Sequence, residues 1–498
     1  MGVSATLDEA LAKYEPVIGL EVHAQLKTSS KLFSPAPNRF DPEHPNQAVT
    51  AYCVGLPGVL PVLNERAVEM AIKAGLALGC TVRERSIWAR KQYFYPDLPK
   101  GYQLSQFEEP ICEGGSLDVP LPDGSARTVG ITRIHMEEDA GKSTHVRGSP
   151  RSLVDFSRAG VPLIEIVSDP DLRGSAESAQ YLRELRAILR ALDVCDGNLE
   201  QGSFRCDANV SLRPRGTTPL GRRVELKNIN SFRFIEQAID VEILRHARIL
   251  DEGGTVTQET RLYDADKRQT RSMRSKEEAE DYRYFPDPDL PPLIVARSTI
   301  DRLRTELPEL PAARRQRWID VWKVPEDVAS TFAEERAVAD FYDAAVGELI
   351  DLAVPVAHLV KTEVLRELKD DPAGVADAKL DPKDLGALVQ AKEKGKISSA
   401  QMKKLFAKLW KGEGALEALL EAEGEQVSDP AVLGPMLDTL IRSHPKEAKK
   451  LAEGQKKLTG FFVGQVMKQT KGQADPGAVQ KLLAEKLVGL ARDGAADT

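Results

Sequence analysis

Hydrophobic and polar positions alternate with a period of two in several short stretches of roughly the first 290 residues. Between Val17 and Leu26, Ile18, Leu20, Val22, Ala24 and Leu26 fall on one face, and Glu21, His23 and Gln25 on the other. Residues 203–212 repeat the device. Phe204, Cys206, Ala208, Val210 and Leu212 oppose Ser203, Arg205, Asp207, Asn209 and Ser211. Residues 131–138 put Arg133, His135 and Glu137 on one side, residues 161–167 are apolar apart from Glu165, and residues 223–227 form a fifth candidate strand. Strands with one apolar and one polar face predict an antiparallel sheet packed on one side and open on the other. Helical spacing in residues 175–192, with Ser175 as the expected N-cap, and in 231–250, ended by Gly253 and Gly254, supplies the cover. The fold class is α+β rather than a βαβ array.

A proline-rich segment, residues 284–292, closes this regime because its prolines forbid a continuing helix. Helical periodicity then dominates residues 337–369, 405–420, 431–443 and 459–469, which predicts small helical bundles, with a break expected near Gly412 and Gly414. At 498 residues the chain is too long for one core. No apolar run reaches the roughly 18–20 residues needed to span a bilayer, and the first twenty residues are too polar and acidic for a signal peptide. Five widely spaced cysteines, with no CxxC pair, argue against a disulfide framework and for a reducing cytoplasm. The net charge of −8 hides an asymmetry: residues 391–472 hold 15 Lys and Arg against 10 Asp and Glu. That local excess fits either a solvated helical face or a footprint for a phosphate backbone, and composition does not choose between them.

Glu21 and His23, two apart on a strand, place a carboxylate and an imidazole on one open face with Cα atoms about 7 Å apart. Such a pair is half of a divalent-metal site or a surface ion pair. Glu137, Glu138 and Asp139 repel one another unless a cation or nearby Lys and Arg neutralise them. Glu165 inside an apolar strand also needs a partner, either a structural Arg such as Arg158 or a metal. Gly141-Lys142-Ser143 resembles the end of a P-loop, but Met136 stands where the first glycine belongs, so Lys142 is at most a point-charge phosphate contact. Aromatics interleaved with Lys, Pro and Gly in residues 91–103, and again in 282–285, fit either a packed turn or a surface that stacks on a base.

These segments together resemble the GatB/GatE family, the B subunits of the tRNA-dependent amidotransferases. The resemblance is carried by VIGLEVHAQLKT (17–28), GLPGVLPVLN (55–64), RKQYFYPDLPKGYQLSQ (90–106), ITRIHMEEDAGKSTH (131–145), PLIEIVSDPD (162–171), RCDANVSLRP (205–214), ELKNINSF (225–232) and YRYFPDPDLPPL (282–293). The tail TGFFVGQVMKQTKGQADP (459–476) is similar to the domain that the family shares with YqeY proteins. The resemblance implies a catalytic cradle over 1–293, related to glutamine synthetase and guanido kinases. It also implies a helical linking domain over 294–395 and a YqeY-like, tRNA-binding tail over 396–498. The implied reaction uses ATP and Mg²⁺ to phosphorylate the side-chain carboxylate of Glu-tRNA(Gln) or Asp-tRNA(Asn), after which ammonia displaces the phosphate.

Carried over by motif, Glu21, His23, Glu138 and Asp207 form the expected metal and catalytic centre, with Glu137 and Glu165 as further metal carboxylates. Lys142, Arg158, Arg205 and Lys227 are the expected phosphate contacts. Tyr93, Tyr95, Lys100, Tyr102, Arg283, Lys456, Lys457, Lys468 and Lys471 are the expected contacts to tRNA. Implied partners are the amidase (A) subunit that supplies ammonia, the small C subunit of a heterotrimer, misacylated tRNA and the cognate non-discriminating aminoacyl-tRNA synthetase, with no membrane. Many members of the family carry a four-cysteine zinc site. Ser34, Ala36, Thr50 and Cys53 stand at those positions here, so no zinc is predicted. Two rival readings share parts of this evidence: a free-standing ATP-dependent amide ligase, which needs no basic tail, and a non-catalytic tRNA-binding adaptor, which needs no acidic face.

Overall fold

The computed structural model describes residues 6–493, apart from 42, 147, 276–281, 370–371, 425–426, 453–454 and 471. The chain divides into two compact units, 1–314 and 315–498. Ten strands of the first unit make the main path of a large sheet. They are β1 (Tyr14–Gln25), β2 (Ala89–Gln92), β3 (Tyr102–Ser105), β4 (Ala126–Glu138), β5 (Pro162–Ser168), β6 (Phe204–Pro214), β7 (Val224–Lys227), β8 (Glu259–Asp264), β9 (Gln269–Ser275) and β10 (Phe285–Pro286). Their spatial order is β9-β8-β7-β6-β1-β5-β4-β3-β2-β10, and shorter strands attach beside β4. Neighbours on this path are antiparallel except β7 and β8, which run parallel.

The predicted alternation along β1 is realised. Ile18, Leu20, Val22 and Ala24 are buried, whereas Glu21, His23 and Gln25 keep partial access to solvent. The apolar side packs on α1 (Glu65–Ala77), α2 (Ser175–Ala191) and α3 (Phe232–Asp251) in one continuous core. Leu182, Leu185 and Leu189 of α2 and Ile235, Ile239 and Ile243 of α3 are buried there at helical spacing. Each such side chain contributes about 1.5–3 kcal/mol by leaving water. Ser231 caps α3 by accepting from the Phe234 backbone N–H at 3.1 Å, and Gly253, at φ +76°, stops the chain after it. The N-cap of α2 is a correction to the sequence reading: Gly174 holds the extended cap position and Ser175 is already helical. Glu177 of the first turn accepts from the Arg173 N–H, just before the helix, at 2.8 Å, and no side chain takes the capping role expected of Ser175.

The second unit is built from helices around two cores. One spans Trp318 to Leu419 and the other Leu433 to Leu487. The periodicity of 337–369 is realised as short helices because Gly347, at φ +48°, breaks the run after Arg336–Val346. Residues 405–420 likewise split into Ser399–Lys411 and Leu416–Glu423, with Gly412 left-handed between them. No described helix is long and apolar enough to cross a membrane. All five cysteines are free and buried.

Candidate active site

Register brings the polar side chains of four strands together on the open face. His23 of β1 lies opposite Glu165 of β5 and Arg205 of β6, and Glu165 lies opposite His135 of β4. The His23 Nε2 is 3.1 Å from a Glu165 carboxylate oxygen and 3.6 Å from one of Glu137. His135 Nε2 approaches the same Glu165 oxygen at 3.4 Å. Burial opposes charge on the His23 imidazole, but Glu165 and Glu137 outweigh it and raise His23 to about 9. Burial likewise opposes charge on Glu165, and His135 and His23 outweigh it, holding that carboxyl well below the usual carboxylate range. One ligand atom from each of His23, Glu137 and Glu165 fits within 4.8 Å of the others. Two carboxylates and an imidazole so placed suit a hard divalent cation that also keeps waters or substrate oxygens.

A cavity of about 480 Å³ opens over this group, and Glu21, Asp207, Glu225, Lys227, Lys91 and Arg133 also line it. Glu21 sits one register step along β1, opposite Asp207 of β6, and accepts from Asn209 Nδ2 at 2.9 Å. Burial and the nearby carboxylates Glu165, Glu225 and Asp207 push Glu21 up. The Lys227 ammonium bridges Asp207 at 2.5 Å and Glu225 at 3.0 Å. Those carboxylates raise the Lys227 ammonium above its ordinary value although burial opposes its charge. Asp207 and Lys227 are therefore a fixed ion pair in the cavity wall.

Several expected site residues lie elsewhere. Glu138 is a correction: it does not join His23 and Glu165. Adjacent residues of a strand point to opposite faces, so Glu137 enters the cavity and Glu138 is buried on the other side. There Lys100 Nζ donates to both Glu138 oxygens, at 2.5 and 2.6 Å, and to Tyr52 Oη at 3.1 Å, while the Leu104 N–H donates to Glu138 at 3.0 Å. Lys100 is thus committed inside the fold rather than displayed to a polynucleotide. Lys142 is exposed on a separate hairpin of residues 142–145 and 152–155, beside the Phe40 ring. Arg158 donates to the Ala140 and Gly141 carbonyls at 2.9 and 2.7 Å, and Arg205 to Asp139 at 3.0 Å. Of the four expected phosphate contacts Lys227 lines the cavity, and Lys142, Arg158 and Arg205 do not.

Tyr93 and Tyr95 stack at 5.7 Å, with Tyr95 half exposed, and Tyr102 packs under the Arg90 guanidinium at 4.3 Å. Arg283 is exposed beside a neighbouring aromatic hollow. Lys457 and Lys468 are exposed in the second unit, whereas Lys471 and the side chain of Lys456 lie outside the described residues. His135, Arg133 and Lys91 are cavity residues that sequence reasoning did not select. The shared side of Arg133, His135 and Glu137 was the available signal. Cys53 Sγ lies 3.4 Å from both Ser34 Oγ and Thr50 Oγ1 and 3.6 Å from Lys31 Nζ. One sulfur among two hydroxyls and an ammonium is not a zinc donor set.

A sheet with an open, ionisable face over a helix-backed core frames the first unit, and helices make up the second. The model of the GatB/GatE catalytic domain matches residues 16–301, and that of the GatB domain matches residues 340–487. The chain belongs to the GatB/GatE family. It is 52% identical to the B subunit of an aspartyl/glutamyl-tRNA(Asn/Gln) amidotransferase from Solidesulfovibrio magneticus, over 96% of this chain and 100% of that protein. B subunits of the same name from Syntrophotalea carbinolica and Alkalilimnicola ehrlichii are 51% and 50% identical, over 96% and 95% of this chain and 99% of each.

Proposed function

We propose that this chain activates the side-chain carboxylate of a misacylated Glu-tRNA(Gln) or Asp-tRNA(Asn) and forms the amide on it, as the B subunit of a cytoplasmic amidotransferase. The observation that carries the reading is the His23–Glu137–Glu165 group under an open cavity, within a domain of the GatB/GatE family. A carboxylate resists ammonia because oxide is a very poor leaving group. Transfer of the ATP γ-phosphoryl group breaks its bond to the ADP oxygen and makes one to the carboxylate oxygen. Ammonia then attacks the acyl carbon, and the C–O bond to phosphate breaks. Bound Mg²⁺ supplies neutralisation of the phosphoryl charge. His23, Glu137 and Glu165, each expected as a metal ligand, are the residues that would hold it, without Glu138. Lys227, held between Asp207 and Glu225, is an ammonium in the same cavity wall, and Glu21 borders it as a further carboxylate.

The same reading makes residues 396–498 the tRNA-binding tail, with Lys457 and Lys468 as exposed contacts. Ammonia comes from the amidase (A) subunit, the small C subunit completes the complex, and the tRNA is received from the cognate synthetase. The test uses the co-purified complex with ATP and Mg²⁺, ammonium chloride in place of glutamine, and radiolabelled Glu-tRNA(Gln) or Asp-tRNA(Asn). Amide formed by the wild type and lost in Glu137→Gln supports the assignment. A complex that hydrolyses glutamine and binds tRNA but forms no amide from ammonium would make this chain an adaptor.

A further inference from the structure

The acyl group of an aminoacyl ester is short, so its side-chain carboxylate and the nucleoside that carries it must occupy adjoining spaces. The cavity over His23 adjoins a second hollow of about 660 Å³, and Phe107, Tyr282 and Tyr284 stand in the walls of both. That volume lies within the range of about 300–1,000 Å³ common for small-molecule sites. The Phe107 and Tyr284 rings are parallel to within 6° at 4.2 Å, and Tyr282 meets Tyr284 edge-on at 6.0 Å. Phe107 and Phe285 are each 44% exposed, so aromatic faces remain open to a flat ring. Glu108 and Glu109 border the same hollow. Arg283 borders it too, and Glu109 is paired with Arg85, which leaves the Glu108 carboxylate to accept a hydrogen bond from an exocyclic amine.

A third hollow, of about 430 Å³ and bordered by Glu21, differs: it is lined by two guanidinium groups, Arg222 and Arg223, against one in the aromatic hollow, and by no aromatic ring. A triphosphate matches that side, which leaves the aromatic side for a base whose phosphate lies elsewhere. We infer that the hollow formed by Phe107, Tyr282, Tyr284 and Phe285 takes the adenine of the terminal adenosine that carries the acyl ester, with the base extending the Phe107–Tyr284 stack. The inference rests on the tRNA reading above and adds to it the subsite and the residues that read the nucleoside.

The test measures binding of the purified complex to two deacylated transcripts, one ending in CCA and one lacking the terminal A. The wild type should lose roughly 5- to 100-fold in affinity on removal of that adenosine, the range expected for one base–aromatic stack. Phe107→Leu should weaken the full transcript by the same factor and leave the shortened one unchanged, and Phe107→Tyr should restore the difference. KM for ATP should not move in either variant. Equal weakening of both transcripts, no effect on either, or a rise in KM for ATP alone would overturn the assignment, the last by placing ATP's own adenine in the hollow. Because binding is read without turnover, a wild type that forms no amide would refute the proposed reaction while leaving the terminal-adenosine result to stand or fall separately.

Discussion

Glu137 and Glu138 follow one another on β4 and meet opposite surroundings. Glu137 shares the open face with His23 and Glu165, where carboxylates and an imidazole meet and the space above them is a cavity. Glu138 is buried on the closed side, where one ammonium and one backbone N–H take its oxygens. The first environment holds its charge beside open space. The second encloses it. One peptide unit therefore separates a carboxylate placed for chemistry from one placed for architecture, and acidity alone does not tell them apart.

The largest effect should come from the closed side. Glu138→Ala leaves the Lys100 ammonium buried and unpaired, and chemical denaturation of the first unit should show a loss of about 3–5 kcal/mol. Replacing both partners, as Glu138→Leu with Lys100→Met, should recover much of that loss, and no recovery would refute the pair's structural role. A second buried carboxylate gives a signature in pH. Glu242 of α3 accepts from Thr270 at 2.9 Å and faces Arg245 and His246. Burial would push its carboxyl up, but His246 and Arg245 hold it at about 2. Its contribution, about 3 kcal/mol, is present above the unfolded carboxyl value near 4.5 and lost as the pH falls toward 2. Unfolding followed from pH 6 to pH 3 should lose that slope in Glu242→Gln.

On the open face the expectation reverses. Glu137→Gln should lower amide formation by on the order of 10²-fold with tRNA affinity and unfolding midpoint retained. A fall in stability matching that of the Glu138 variant would erase the distinction between the two faces. The smallest effect is expected at Lys142, exposed on its hairpin. Lys142→Met should change both stability and kcat/KM by no more than about 2-fold.

The face-by-face pattern of β1 and β6 was legible in the sequence because a period of two needs only one strand. What brings His135 to Glu165 is the pairing of β4 with β5, and register between strands more than twenty residues apart is not written in either of them. Glu138 was grouped with Glu137 because three consecutive acids read as one cluster, although strand alternation alone separates them. Arg158 was carried over by motif as a phosphate contact, and its acceptors here, the Ala140 and Gly141 carbonyls, are backbone atoms without a sequence signature. The family motifs supplied the reaction, and the register decided which of their residues share a cavity.

The central position of β1 also has a consequence for synthesis. Both of its neighbours arrive late in the chain, β5 at Pro162–Ser168 and β6 at Phe204–Pro214. At translation rates of roughly 5–20 residues per second, β1 waits on the order of 10–40 s before both its edges are hydrogen-bonded. Until β5 is delivered, Ile18, Leu20 and Val22 have no sheet to enter, and the second edge of β1 stays unpaired until the ribosome has delivered β6.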